Sequence, residues 1–188
     1  NVLLPGKGLE QGPFVSEESI RYMAEVGHEE GSIAEQEKEL INSVFHFAET
    51  VVREVMKPRP DIVAVEADQP LGAAQGLILK HGYSRIPVYR ESIDTIVGIL
   101  YAKDLLPFVI RSSRNLPLQT LMRPAYVVPE SKPIDDLLTE LRRDRVHIAI
   151  VADEYGGTAG LVTIEDILEE VVGEIQDEYD TESTLIEV

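Results

Sequence analysis

Residues 160–166 read GLVTIED: a glycine, an apolar run ending on Thr163, and an aspartate three places later, where a helical pattern begins. The same phrase occurs at residues 98–104 as GILYAKD, with Tyr101 standing where the threonine stands. A phrase that returns points to an internal repeat, and the flanking residues extend it. Met56-Lys57-Pro58 returns 66 residues on as Met122-Arg123-Pro124, SRIPVY (84–89) returns as VHIAIV (146–151), and Gly98 returns 62 residues on as Gly160. The drift of four between these offsets is absorbed in loops. Each unit reads strand, helix, strand, strand, helix. The last two strands are joined by a hairpin at ESIDT (91–95) in the first unit and at DEYGGTA (153–159) in the second, where Gly156-Gly157 supplies the positive dihedrals of a tight turn. One unit has too little apolar surface to stand alone, so the two are expected to pack sheet against sheet about a pseudo-twofold axis, a mixed α/β (α+β) fold.

Ahead of the repeats the pattern is helical. Ser16 before Glu17 and Glu18 reads as a helix start with Gly27 as its stop, and Ser32-x-x-Glu35 reads as a capping box. That box opens a second helix whose apolar residues, from Leu40 through Val44 and Val51 to Val55, recur at helical spacing. This stripe is expected to pack on the following domain or on a twin subunit.

The 188 residues, 44% hydrophobic and 27% charged, have globular composition, with room for one compact domain plus extensions at about 150 residues per domain. There is no cysteine, so disulfides and thiolate metal sites are excluded and an oxidising compartment is not required. No apolar run reaches the roughly 18 residues that span a bilayer. The start at Asn1, on the apolar NVLLPG, suggests a piece of a longer polypeptide. Seventeen basic against 34 acidic residues leave a charge of −17, which argues against a nucleic-acid partner, since phosphate contacts need a basic face. The acid is bunched: ten carboxylates and no Lys or Arg lie between Glu165 and Val188. Such runs read as solvated faces, or as surfaces that respond to divalent cations.

The tandem of about 60-residue units, each opening on Met-x-Pro, the second closing on Thr-x-x-Asp, resembles a pair of CBS (cystathionine-beta-synthase) domains, or Bateman module. The stretches EEGSIAEQEKELINSVFHFAETVVREVMKPRPDIVAV (29–65), VGILYAKDLL (97–106) and ADEYGGTAGLVTIEDILEEVVGEIQDE (152–178) are similar to the CBS region of CorC/HlyC-type magnesium and cobalt efflux proteins. The resemblance implies a helical linker over 1–50 that follows a membrane domain, CBS repeats over 51–112 and 113–180, and a tail over 181–188. It implies a place on the cytoplasmic face of the cell membrane, attachment to a divalent-cation transporter, and a homodimer formed through the CBS pair.

Thr163 stands where a strand hands over to a helix, so its hydroxyl can cap the first turn, with Asp166 in the same positive-ended turn. The same groups can serve a ligand, the hydroxyl and free N–H groups taking phosphate and the carboxylate taking both hydroxyls of a ribose. In the family resembled, these two positions contact an adenine nucleotide: ATP, or AMP or ADP, with or without Mg2+. The rest of the expected lining is an apolar adenine slot of Asp61, Ile62, Val63 and Leu161 with His147 beside it, then Tyr83, Ser84 and Arg85, whose fork suits a polyphosphate. Glu165 reads either as a magnesium helper or as a first-turn carboxylate. Tyr101 replaces the cap in the first repeat and leaves Asp104 without its partner. The equivalent site near Arg85, Tyr126 and Val127 is therefore incomplete, and one nucleotide per chain is expected.

Nothing points to catalysis. GGTAG (156–160) lacks the lysine and hydroxyl of a phosphate-binding loop, and His28, His46, His81 and His147 lack metal-ligand spacing. The reading is a regulatory adenine-nucleotide module controlling a Mg/Co transporter. The alternative is a ligand-free dimerisation scaffold or divalent-cation sensor acting through its acidic helices.

Overall fold

A computed structural model describes residues 15–110 and 117–173. The chain divides into two units, Asn1–His46 and Phe47–Val188.

In the first unit, helix α1 (Glu17–Glu29) starts as read, with the Ser16 hydroxyl accepting from the Ser19 N–H. It does not stop at Gly27. A Cβ there would lie 2.7 Å from Ile33 Cδ1, so the glycine is a packing point, and the chain turns at Gly31, whose φ of +74° suits a residue without Cβ. The Ser32 box does not form either. The Ser32 hydroxyl donates to the Gly27 carbonyl, Glu37 accepts from the Ala34 N–H, and α2 (Glu35–Glu49) begins later than the capping pattern implied.

The helix expected to continue to Val55 is interrupted after Glu49. Thr50 accepts from Ile134 N–H, and the N–H groups of Val52 and Arg53 donate to Lys132 and Glu130, so backbone groups that a continuous helix would use internally pair with a distant loop. The four-residue helix α3 (Val52–Val55) follows, with Val52 fully buried. Leu40 and Val44 of α2 stay exposed.

The repeats then follow the expected order. The first comprises β1 (Lys57–Pro58), a 3-10 turn over Arg59–Asp61, β2 (Val65–Glu66), α4 (Leu71–His81), β3 (Arg85–Arg90), β4 (Ser92–Tyr101) and α5 (Ala102–Ile110). The second comprises a 3-10 turn over Leu118–Thr120, β5 (Tyr126–Pro129), α6 (Ile134–Asp144), β6 (Ile148–Ala152), β7 (Thr158–Thr163) and α7 (Ile164–Val172).

Two sheets form, in the orders β2-β3-β4 and β1-β7-β6-β5. The strands on either side of α4 run parallel, as do those on either side of α6, and the last two strands of each repeat are antiparallel. The repeats are crossed: β1 of the first pairs antiparallel with β7 of the second, Lys57 opposite Leu161 and Pro58 opposite Gly160, while Arg123 of the second bridges Ile99 on β4. Each repeat has its own apolar core, around Leu71, Ile86 and Leu100 in the first and Leu137, Leu141, Val162 and Ile167 in the second. A third cluster of Ile62, Ile99, Ile148, Ile150 and Leu161 joins residues of both.

The hairpins differ in detail from their sequence reading. In the first, the turn is confined to Glu91 (φ +61°) between Arg90 and Ser92, and β4 takes up the rest of ESIDT. The Ser92 hydroxyl donates to Asp94, which also pairs with Arg59. In the second, Gly156 alone of the glycine pair has positive φ (+82°), because Asp153 Oδ1 accepts from the N–H groups of Tyr155 and Gly157 and closes the turn.

Behind β5, Glu140 accepts from Tyr126 Oη at 2.7 Å and Lys132 Nζ at 2.8 Å. Those two bonds, the lysine's first, hold the Glu140 carboxyl below the usual glutamate range, and the same contact raises the Tyr126 phenol. A depressed carboxyl stabilises the fold above its unfolded pKa and loses that contribution as pH falls through the lower folded value. Glu140→Gln is therefore expected to lower the melting temperature at pH 7 and to narrow its gap to wild type as the buffer is acidified below the ordinary glutamate range. A constant gap would show that the carboxylate charge is not what matters. Among the described residues, no helix is long and apolar enough to cross a membrane.

Candidate functional site

The crossing of the repeats opens a cleft of about 300 Å3. The first repeat contributes Lys57 on β1, Val63, the turn Gly82-Tyr83-Ser84 after α4, and Arg85 and Pro87 on β3. The second contributes Ile148 at the start of β6, Leu161 and Thr163 on β7, and Glu165 and Asp166 in the first turn of α7. Eight residues singled out from sequence thus meet in one place: Val63, Tyr83, Ser84, Arg85, Leu161, Thr163, Glu165 and Asp166.

Thr163 is extended (φ −112°, ψ 166°) and ends β7, so the next residue enters the helix and leaves the hydroxyl at its mouth. The cap is complete. Thr163 Oγ1 accepts from the Asp166 N–H at 3.2 Å and donates to Asp166 Oδ2 at 2.8 Å, and the Thr163 N–H donates to that same oxygen at 2.7 Å. All three bonds use Oδ2 or the hydroxyl, so Oδ1 takes no part in the cap.

Arg85 faces this turn. Its Nη1 lies 3.6 Å from Glu165 Oε1, beyond a good hydrogen bond, and its Nε is buried with no hydrogen-bond partner among the described residues. Lys57 Nζ lies 3.4 Å from Tyr83 Oη and 5.6 Å from the centre of that ring, which stacks on His81. The arrangement is a half-apolar slot, of Val63, Pro87, Ile148 and Leu161, with two cations and a helix N-terminus beside it.

Three expected residues fall outside the lining. Asp61 is exposed at the end of the 3-10 turn, Ile62 is 8% exposed within the cluster joining the repeats, and His147 is exposed, contributing its carbonyl to the Ile164 N–H. The turn after Pro58 advances the chain so that Val63, not its two predecessors, reaches the cleft. Sequence reasoning missed Lys57, Gly82, Pro87 and Ile148. The basic residue after each repeated methionine, Lys57 and Arg123, was the available signal for the first.

The first-repeat counterpart is occupied by the chain's own side chains. Arg123 donates to Asp104 Oδ2 through Nε at 3.1 Å and Nη2 at 2.6 Å, and its guanidinium lies 4.4 Å from the Tyr101 ring centre. Tyr126, expected beside this site, is committed to Glu140, and Val127 is exposed.

Two crossed strand-helix-strand-strand-helix repeats around such a cleft define a tandem pair of CBS domains. The CBS domain family model matches residues 52–111 and 118–173, and the chain belongs to that family. More particularly, it is 47% identical over 187 residues to UPF0053 protein Mb2387c of Mycobacterium bovis, covering 98% of this chain and 43% of that protein. It is 42% identical over 172 residues to the magnesium and cobalt efflux protein CorC of Pasteurella multocida, covering 92% of this chain and 57% of that one. The chain therefore spans about half the length of these relatives. Among solved structures it is similar to the CBS domain of the bacterial CNNM/CorC family Mg2+ transporter in complex with ATP, at 51% identity and a TM-score of 0.71, covering 74% of this chain and 99% of that one.

Proposed function

We propose that the chain is a regulatory module that binds one adenine nucleotide in the cleft between its repeats and thereby biases an attached divalent-cation transporter. The observation that carries this reading is the buried Arg85 Nε, without a hydrogen-bond partner among the described residues, beside a helix N-terminus in a cleft with an apolar slot on its other side. A nucleotide fits that donor set. The start of α7 suits a phosphate, as does the Thr163 hydroxyl once it turns its proton from Asp166 Oδ2 to the ligand; Asp166 Oδ1 suits ribose hydroxyls, and Val63, Ile148 and Leu161 suit a base. Arg85 and Lys57 supply positive charge in a chain of net −17, and a magnesium complex reduces the anion's repulsion by the rest of the surface. The similar ATP-bound CBS domain supports the same ligand class.

The role is binding, not chemistry. Binding shifts the transporter's equilibrium only if its two states differ in affinity; a hundredfold preference corresponds to about 2.7 kcal/mol. On this reading a membrane domain lies in the part of the longer relatives that this chain does not span, and the module is proposed to sit on the cytoplasmic face of the cell membrane. A homodimer is part of the same proposal, since Leu106 on α5 and Leu168 on α7, at equivalent places in the two repeats, are both exposed.

Calorimetric titration with ATP, ADP and AMP, each with and without magnesium, tests the reading. Saturable binding of one nucleotide per chain is expected. Absence of heat and of thermal stabilisation would refute it and favour the ligand-free scaffold or cation sensor, which the self-sufficient Thr163–Asp166 cap and the acidic helices would then explain.

A further inference from the structure

The end of α6 is basic in a chain whose acids outnumber its bases 34 to 17. Arg142, Arg143 and Arg145 fall within four positions, and no other four consecutive residues hold three cations. All three are exposed, as is His147 just beyond them. Arg143 donates to its neighbour Asp144 through Nε at 2.8 Å and Nη2 at 3.0 Å, whereas Arg142 and Arg145 enter no ion pair among the described residues.

The backbone singles out Arg145. It ends α6 in the left-handed conformation (φ +55°), where the first repeat ends α4 on Gly82 (φ +70°). Glycine takes that conformation freely, while a side chain there is strained. The second repeat thus keeps a strained residue whose guanidinium pairs with no carboxylate of the described chain, the kind of outlier that marks a binding surface. Its position is fixed by the His147 carbonyl, which accepts from the Ile164 N–H and so sets the three arginines beside the start of α7.

We infer that the Arg142–Arg143–Arg145 surface is a docking site for the chain's own acidic segment 174–188. That segment, which lies outside the described residues, carries six carboxylates and no Lys or Arg. Charge complementarity selects it: the acidic remainder of the surface repels such a segment, and two free guanidiniums offer carboxylates charge-assisted, two-pronged bonds. Reach allows it. The segment follows α7, whose nine residues measure about 14 Å, and fifteen residues of chain extend to about 50 Å, enough to return from the end of α7 to its beginning. The inference does not depend on the nucleotide reading.

Because the chain has no cysteine, Ser183→Cys gives a single site for a spin label. In the nitrogen-15 spectrum of the full chain, the label is expected to broaden away the amide signals of residues 142–147. The signals should return in Arg142→Gln/Arg145→Gly, whose glycine also relieves the backbone strain, and in about 1 M salt, where charges are screened beyond about 3 Å. Arg90→Gln, which removes an exposed arginine elsewhere, should leave the broadening as it is. Sharp signals in the labelled wild type would overturn the inference, as would broadening that survives the double substitution or is lost equally in Arg90→Gln. Broadening in a mixture of labelled chains with unlabelled nitrogen-15 chains would also overturn it, by making the occupant the segment of a second copy.

Discussion

Thr163→Ile yields a folded chain that has lost its affinity for adenine nucleotides. The backbone at Thr163 is extended, which a β-branched isoleucine accepts without strain, and the Thr163 N–H bond to Asp166 Oδ2 does not depend on the side chain. What disappears is the hydroxyl, which accepts from the Asp166 N–H and donates to its carboxylate. Losing half a capping box costs about 1 kcal/mol, or about 2–4 °C in a chain of this size. The effect on binding is larger. The hydroxyl stands at the mouth of α7 in a cleft of about 300 Å3, and isoleucine puts an apolar branch there in its stead. A buried phosphate facing hydrocarbon loses a charge-assisted bond and its solvation together, so affinity is expected to fall at least about a hundredfold, or about 2.8 kcal/mol. Calorimetry reads the loss directly, and the wild-type rise in melting temperature on adding ATP should vanish in the variant. Thr163→Ser, which keeps the hydroxyl, should bind within a few-fold of wild type. Undiminished binding by Thr163→Ile would put the nucleotide elsewhere than α7.

Much of this site was legible because repetition does in one sequence what comparison does in many. GILYAKD against GLVTIED isolated Thr163 and Asp166 and exposed Tyr101 as the departure. Periodicity gave each element's type within a repeat, since those signals are local. It failed where a distant segment decides the outcome. The helix through Thr50 was broken by hydrogen bonds to residues 130–134, and Ser32 gave its hydroxyl to the Gly27 carbonyl rather than to its own helix. The cleft's lining erred in the same way. Ile62 looked as suitable for an apolar slot as Val63, but the 3-10 turn decides which of the two is turned inward to the cluster joining the repeats, and no period in the sequence encodes that turn.

The two repeated glycines lead to the other large effect, because the crossing of the repeats depends on them. A Cβ at Gly160 would lie 2.5 Å from the Lys57 carbonyl oxygen and 2.8 Å from Met56 Sδ; one at Gly98 would lie 2.8 Å from the Arg123 carbonyl oxygen and 2.9 Å from Met122 Sδ. Each glycine thus receives the opening Met-x-Pro of the opposite repeat, which is why glycine and methionine recur together. Met56 can change rotamer, but a carbonyl held in the β1–β7 pairing cannot withdraw without taking its strand along. Gly160→Ala is expected to destabilise by about 3 kcal/mol, about 6–12 °C in melting temperature. It should also weaken nucleotide binding, because the displaced strand carries Lys57 into the cleft. Gly98→Ala, with more room, should cost less. Gly76→Ala provides the contrast: that position lies within α4 with open space around it, so alanine should stabilise by up to about 1 kcal/mol through helix propensity. Thermal melts of the three variants check the order. If Gly160→Ala melts with wild type, the repeats are not joined through this contact, and the cleft their crossing forms would need another account.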